Sequence, residues 1–271
     1  MLTALGLLLG VLAFLSKAPN DPIDPAVRPT VDRLEQTPAP KRWSFRYVPI
    51  SASPYVACLG GVDEVDGAVD TIAGLMVLEP NREAPPIIVT DSSFMIPSDP
   101  PELENWDEVQ LPDGEVRTTL TPILGEVLAG FVADGVRLPD PKMTALAAVE
   151  IAESVKPSES LPGLTGDSFT VIVDADQFIA ELEAGGLIPT EDDLTRIPAI
   201  TVSVDDGGRV AQLIIRTPET GNEDHSDRGY VLTTEYGDVT PPQPPSPAQR
   251  QPVQLNDLNY PSPNESCAFG R

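Results

Sequence analysis

Histidine is almost missing from this chain. His225, in NEDHSDRG, is the only one in 271 residues. With no second histidine, the H-E-x-x-H zinc motif cannot be built. A serine or cysteine nucleophile has at most one loop imidazole to serve it, and there is no G-x-S-x-G elbow. Cysteine is scarce too. Cys58 and Cys267 are the only two, and they share no C-x-x-C spacing, which excludes a zinc or dithiol redox motif. Aromatics make up 5% of the chain, with two Trp, too few to furnish the aromatic cleft that a glycosidase usually needs. Paired carboxylates abound, but in so acidic a chain their spacing carries no information. Basic residues number 17 against 42 acidic ones, a formal net charge of -25. A field of that sign repels phosphate backbones, so nucleic-acid binding is not expected. Neither DDGG (205–208) nor VDEVDGAVD (62–70) supplies a site. The first lacks the G-K-[ST] of a phosphate loop. The second lacks the ligand spacing of an EF-hand and reads as a solvated turn. The composition points to a protein that is not an enzyme and holds no metal or cofactor.

One long apolar run exists, MLTALGLLLGVLAFL at 1–15. It is short for a membrane helix, which needs ~20 residues, and suits the core of a signal peptide. A positive n-region and a lipobox cysteine are missing, and Pro19 follows the small residues that would mark cleavage. Residues 1–18 therefore read as a signal peptide or an uncleaved membrane anchor, which places the rest outside the cytoplasm. In an exported chain an even cysteine count suggests one disulfide, Cys58–Cys267, worth about 4–5 kcal/mol for so long a loop. Two unpaired thiols are the other reading.

Proline is abundant, at 31 residues, and clusters near both ends. Residues 19–41 read as a Pro-rich linker with room for one helical turn near Val31–Leu34. Residues 241–271 read as an extended or disordered Pro-rich tail. Between them, 42–240 reads as an α+β domain. KRWSFRYVPI places Trp43, Phe45 and Tyr47 on one face of a strand. PPIIVTDSSFMIP reads as strand, turn, strand. SDPPELENWDEVQLPDG is polar and Pro-rich, anchored by Trp106. TPILGEVLAGFVADG carries a helical apolar stripe of Ile123, Leu124, Val127, Leu128 and Phe131, with Thr121 as cap. DPKMTALAAVEIAESV fits helix or strand. DSFTVIVDADQF reads as a strand running into a short helix. ITVSVDDGGRVAQLIIRT is a hairpin, and GYVLTTEYGDV a third strand.

Four stretches resemble the actinobacterial envelope lipoproteins of the LppX/LprG type, which are related in fold to LolA. They are IIVTDSSFMI, ENWDEVQLPDG with TPILGEVLAGF, LTGDSFTVIVDADQF, and IPAITVSVDDGGRVAQLIIRT with YVLTTEYGDVTPP. Together they span roughly 87–242. The resemblance implies a strongly curved antiparallel sheet, a half-barrel, with helices on its concave face. It also implies an apolar cavity for lipid or lipoglycan acyl chains and a carrier role in the cell envelope. On this chain the lining would be Phe94, Ile123, Val127, Phe131, Phe169, Val171, Val202, Leu213 and Ile215. The chain departs from the family in its missing lipobox, its suggested disulfide and its long tail. If instead the core is filled, the protein is an accessory or scaffold subunit on the outer face of the membrane, binding other envelope proteins.

Overall fold

The computed structural model describes residues 21–51, 64–80, 85–98, 105–111, 119–120, 123–124, 128–129, 131–133, 140–158, 166–174, 176–177, 180, 199–217, 228–237, 239–240 and 243–258. His225, Cys58, Cys267, Val127 and residues 1–20 lie outside them. In chain order the elements are α1 (Arg28–Gln36), β1 (Arg42–Ser51), β2 (Val65–Asp70), β3 (Leu75–Pro80), β4 (Ile87–Val89), β5 (Ser93–Pro97) and β6 (Trp106–Gln110). There follow α2 (Pro141–Glu150), β7 (Ala152–Pro157), β8 (Asp167–Val173), β9 (Ala199–Val204), β10 (Val210–Thr217), β11 (Arg228–Glu235) and β12 (Arg250–Pro252). Further helical turns lie at 119–120, 123–124, 128–129 and 131–133.

The chain divides into two compact units. Unit one is Met1–Ala39 with Pro141–Thr233, and unit two is Pro40–Asp140 with Thr234–Arg271. Both mix helix with sheet. Unit one orders its strands β11-β10-β9-β8-β7, and unit two β12-β6-β5-β4-β3-β2-β1. Pairing is antiparallel throughout the registered ladders except for β12, which lies parallel to β6. The expected α+β class and antiparallel sheet are therefore present.

Several boundaries differ from the expectation, each for a physical reason. The supposed linker contains α1, a nine-residue helix that packs Val27, Thr30, Val31 and Leu34 inward. Pro29 does not break it because it stands in the first turn, where its missing N–H would have no partner anyway. Burying Val31 and Leu34, both 0% exposed, contributes about 1.5–3 kcal/mol each. The supposed tail folds back, and β12 joins the edge of unit two. There Pro252 is tolerated because nothing need accept from it on the outer side. VDEVDGAVD does not end as a solvated turn: Val65–Asp70 is β2, with Val65, Val69 and Asp70 buried. Trp106 begins a strand rather than anchoring a loop, and packs on Leu75, Ile88 and Met95. The ambiguous stretch after Asp140 is both things in turn, α2 and then β7.

Asp70 is the one carboxylate among the described residues with a nearly inaccessible side chain, at 2%. Burial alone would raise its pKa. Arg42 Nε at 2.8 Å and the N–H groups of Ala73 and Ile72 at 3.1 and 2.9 Å outweigh burial and hold the carboxyl below its ordinary value. Asp70 thereby sets the turn into β3, where Gly74 takes φ 62°. The ionised group stabilises the fold above the unfolded-state pKa of about 3.9, and that contribution is lost as pH falls from there through the lower folded value. Asp70→Ala should cost about 1.5–3 kcal/mol at neutral pH. Asp70→Asn should cost less, because its amide oxygen still caps the turn, and should flatten the acid limb. Chemical denaturation between pH 3 and 7 checks both.

Unit two also shows a ring lying over a glycine. A Cβ at Gly67, which pairs with Phe45 across β1 and β2, would meet the Phe45 ring at 2.3 Å. Phe45 stacks on Phe131 at 5.4 Å between centroids, and Tyr47 meets the same ring edge-on at 5.5 Å. Those contacts seat the helical turn at 131–133 on the apolar face of β1.

Candidate functional site

The apolar face of the unit one sheet is built from alternation, strictest on β8. On β8 the residues Phe169, Val171 and Val173 are buried while Thr170 and Ile172 are not. On β9 the inward set is Ile200, Val202 and Val204, and on β10 it includes Leu213 and Ile215. Antiparallel pairing joins these sets into rows. One row runs Pro157, Phe169, Val202, Leu213, Leu232; the next runs Val155, Val171, Ile200, Ile215, Tyr230. Five of the nine expected lining residues thus fall on one surface. The opposite face is threaded by hydroxyl and amide pairs: Ser168–Ser203 at 2.9 Å, Thr170–Thr201 at 3.2 Å and Gln212–Thr233 at 3.2 Å.

Two helices serve this unit. α2 packs against β7, β8, β9 and β10. Its buried residues, Pro141, Ala145, Ala148 and Val149, recur at helical spacing, and their small size suits close approach to large sheet residues such as Phe169. α1 is held at the Asp167 end of β8. Thr30 Oγ1 and Arg33 Nη2 donate to Asp167 Oδ2 at 3.0 and 2.7 Å. The Arg33 bond, then the Thr30 bond, hold the Asp167 carboxyl below its ordinary value. Both charged groups are more than a third exposed, so this pair adds less than about 1 kcal/mol. The C-terminus of α1 is closed by Lys142 from the first turn of α2. Its ammonium donates to the carbonyls of Glu35, at 3.0 Å, and Thr37. A cation there satisfies orphan carbonyls and the helix dipole together.

The hairpin turn is tied into the same corner. Asp205 N donates to Arg209 O and Gly208 N to Asp205 O, with Gly208 at φ 79°, the pattern of a type I turn followed by a left-handed glycine. Asp205 is partly buried. It accepts from the backbone N–H and the Nε of Arg209 at 2.8 and 2.9 Å. Asp206 is exposed.

The remaining lining residues fall in unit two. Phe94 is on β5 and pairs with Val89 and Val109. Ile123 and Phe131 lie on the helical turns. The predicted surface is therefore divided between two units, each with its own apolar face. Exposure sorts the eight described candidates. Phe94, Phe169, Val171 and Val202 are 0% exposed, Leu213 1% and Phe131 4%. A water-sized void against any of the four at 0% would leave accessible area on it, so Phe94, Phe169, Val171 and Val202 pack against protein atoms. Ile123 and Ile215 keep part of their surface. The predicted lining left out Pro157, Leu232, Val155, Ile200 and Tyr230, which complete the rows. Their signal was alternation on β7, β9 and β11, legible once those strands are paired.

Among the described residues no cluster of three or more His, Cys, Asp or Glu is placed to hold a metal ion. No helix among them is long and apolar enough to cross a membrane. No protein-family model matches the chain, and no curated protein matches it significantly.

Proposed function

We propose that this is a non-enzymatic protein of the cell envelope that binds and carries lipid or lipoglycan acyl chains, on a LolA-like curved sheet. The observation that carries the reading is the pair of unbroken apolar rows crossing five strands of unit one, faced by a helix of small residues. Such a face offers an acyl chain about 0.8 kcal/mol per CH₂ buried. It needs no catalytic side chain, metal or cofactor, in keeping with the sequence. Phe169, Val171 and Val202, all 0% exposed, make the described face of unit one a closed one. Loading then requires α2 to lift from β8 and β10, starting where Ile215 and Tyr230 keep accessible surface. The N-terminal apolar segment would hold or deliver the protein at the outer face of the membrane, where envelope proteins could receive the cargo.

The sealed side chains themselves favour a second reading, a filled scaffold that binds partner proteins through its acidic surface. Native mass spectrometry of the purified protein, followed by organic extraction, separates the two. A carrier retains a lipid, or takes one up from vesicles, with faster hydrogen exchange in α2 during uptake. A protein that holds no lipid and acquires none is a scaffold, and the carrier reading fails.

A further inference from the structure

The last described strand suggests a binding site for extended polypeptide. β12 is only Arg250–Pro252, and it pairs parallel to β6 as Arg250↔Trp106, Gln251↔Asp107 and Pro252↔Glu108. A three-residue parallel strand gains little from its ladder alone, since parallel connections lack a local turn to support them. Side chains hold it instead. Gln251 Nε2 donates to Asp107 Oδ1 at 2.6 Å and to Ser98 Oγ at 3.0 Å. Ser98, which is buried, donates its own hydroxyl to the same Asp107 oxygen at 2.5 Å. The carboxylate can only accept, so the amide must present its nitrogen, and a side chain without a donor cannot replace it. Beyond the strand Val253 N donates to Glu108 O at 3.0 Å. Arg250 lies 3.9 Å from the Glu108 carboxylate and donates to Pro245 O at 2.8 Å. Pro252 cannot donate, so the outer side of the strap offers a poor template for further strands.

The β6 edge therefore reads a short sequence, Arg-Gln-Pro followed by a residue whose N–H reaches Glu108 O. The segment that satisfies it is joined to β11 by residues 236–249, fourteen residues between Glu235 and Arg250. Extended, that connection spans up to about 45–50 Å, enough to reach a neighbouring molecule. Cis and trans occupancy make the same bonds and differ only in the tether. We propose that the β6 edge is an exchangeable strand-binding site, filled here by the chain's own Arg250–Pro252 and able to take the same segment from a second copy of this chain.

The test uses the full chain carrying Gln251→Ala and Val253→Pro, which removes both the amide anchor and the N–H to Glu108. Its β6 amides should exchange faster than those of the wild type. A labelled peptide of residues 245–258 should bind this variant saturably and the wild type at least tenfold more weakly, because the tethered segment competes. The same peptide with Gln251→Ala should also bind at least tenfold more weakly. Sedimentation of the wild type up to about 1 mM, within the effective-concentration range of a flexible tether, should show a dimer that excess peptide dissolves. Unchanged β6 exchange, no saturable peptide binding to the variant, or a wild type that stays monomeric would each overturn the proposal.

Discussion

Gly208→Val should destabilise unit one by about 3–5 kcal/mol, the sum of left-handed strain at a β-branched residue and overpacking. The turn after β9 gives Gly208 φ 79°. A Cβ there would meet Thr37 Oγ1 at 2.3 Å, Arg33 Cγ at 2.9 Å and the Arg33 carbonyl oxygen at 3.2 Å. Arg33 and Thr37 are the last turn of α1 and the residue that caps it, so the clash lands where Lys142 already converges. The carbonyl cannot yield without unwinding that turn. Gly207→Ala is the control. Its Cβ would stand 3.2 Å from Asp205 Oδ1 and 3.4 Å from Arg209 Nε, both on side chains that can shift. It should cost about 1 kcal/mol or less. Hydrogen exchange of the β9 and β10 amides under increasing urea reads both values.

Phe169→Ala should cost about 3–5 kcal/mol, as for a ring removed from a packed core. Phe169 is 0% exposed, and it stands between Pro157 and Val202 in its row. Deleting the ring leaves a void that the flanking strands, held by their ladders, can only partly close. On the wall of a hollow pocket the same ring would touch protein on one side only, and its loss would cost about half as much. Ile172→Ala on the other face of the same strand, where the side chain is 40% exposed, should cost less than about 1 kcal/mol. A large Phe169 effect fixes the resting state as packed. Lipid uptake that rises in the Phe169→Ala protein would then mark the new void as the place where an acyl chain enters.

How much of this was legible in the sequence depended on what each segment buries. β9 and β10 were legible because the apolar residues of one face alternate with Thr201, Ser203, Gln212 and Arg216; Ser203 is buried all the same, and Ile214 shares its face. α1 was obscured by counting prolines without asking where in a helix each one stands. The i, i+4, i+7 spacing of Val27, Val31 and Leu34 was present, and Pro29 sat at a permitted position. β2 was obscured by its acids. Asp66 faces solvent as expected, but Asp70 is buried because Arg42, 28 residues earlier, comes to it across the β1–β2 pair, while the N–H groups of Ile72 and Ala73 close a local turn on it. No local pattern reports Arg42. β6 alternates weakly: of its five residues only Val109 is fully buried. Its pairing with β12 depends on Gln251, 144 residues away from Asp107. The candidate lining was legible as a set of apolar faces, and its division between two units was not.

The two tryptophans have an optical consequence. Trp43 and Trp106 are the only ones in the chain, and both belong to unit two. Trp43 is 1% exposed, and its indole Nε1 has no hydrogen-bond partner, a setting that favours emission at the blue end of the range. Trp106, on β6, is half-buried beside the strand site. Tryptophan fluorescence therefore reports on the surroundings of two side chains in unit two. A change confined to the proposed cargo face, such as entry of an acyl chain beside Phe169, has no tryptophan of its own unit to report it.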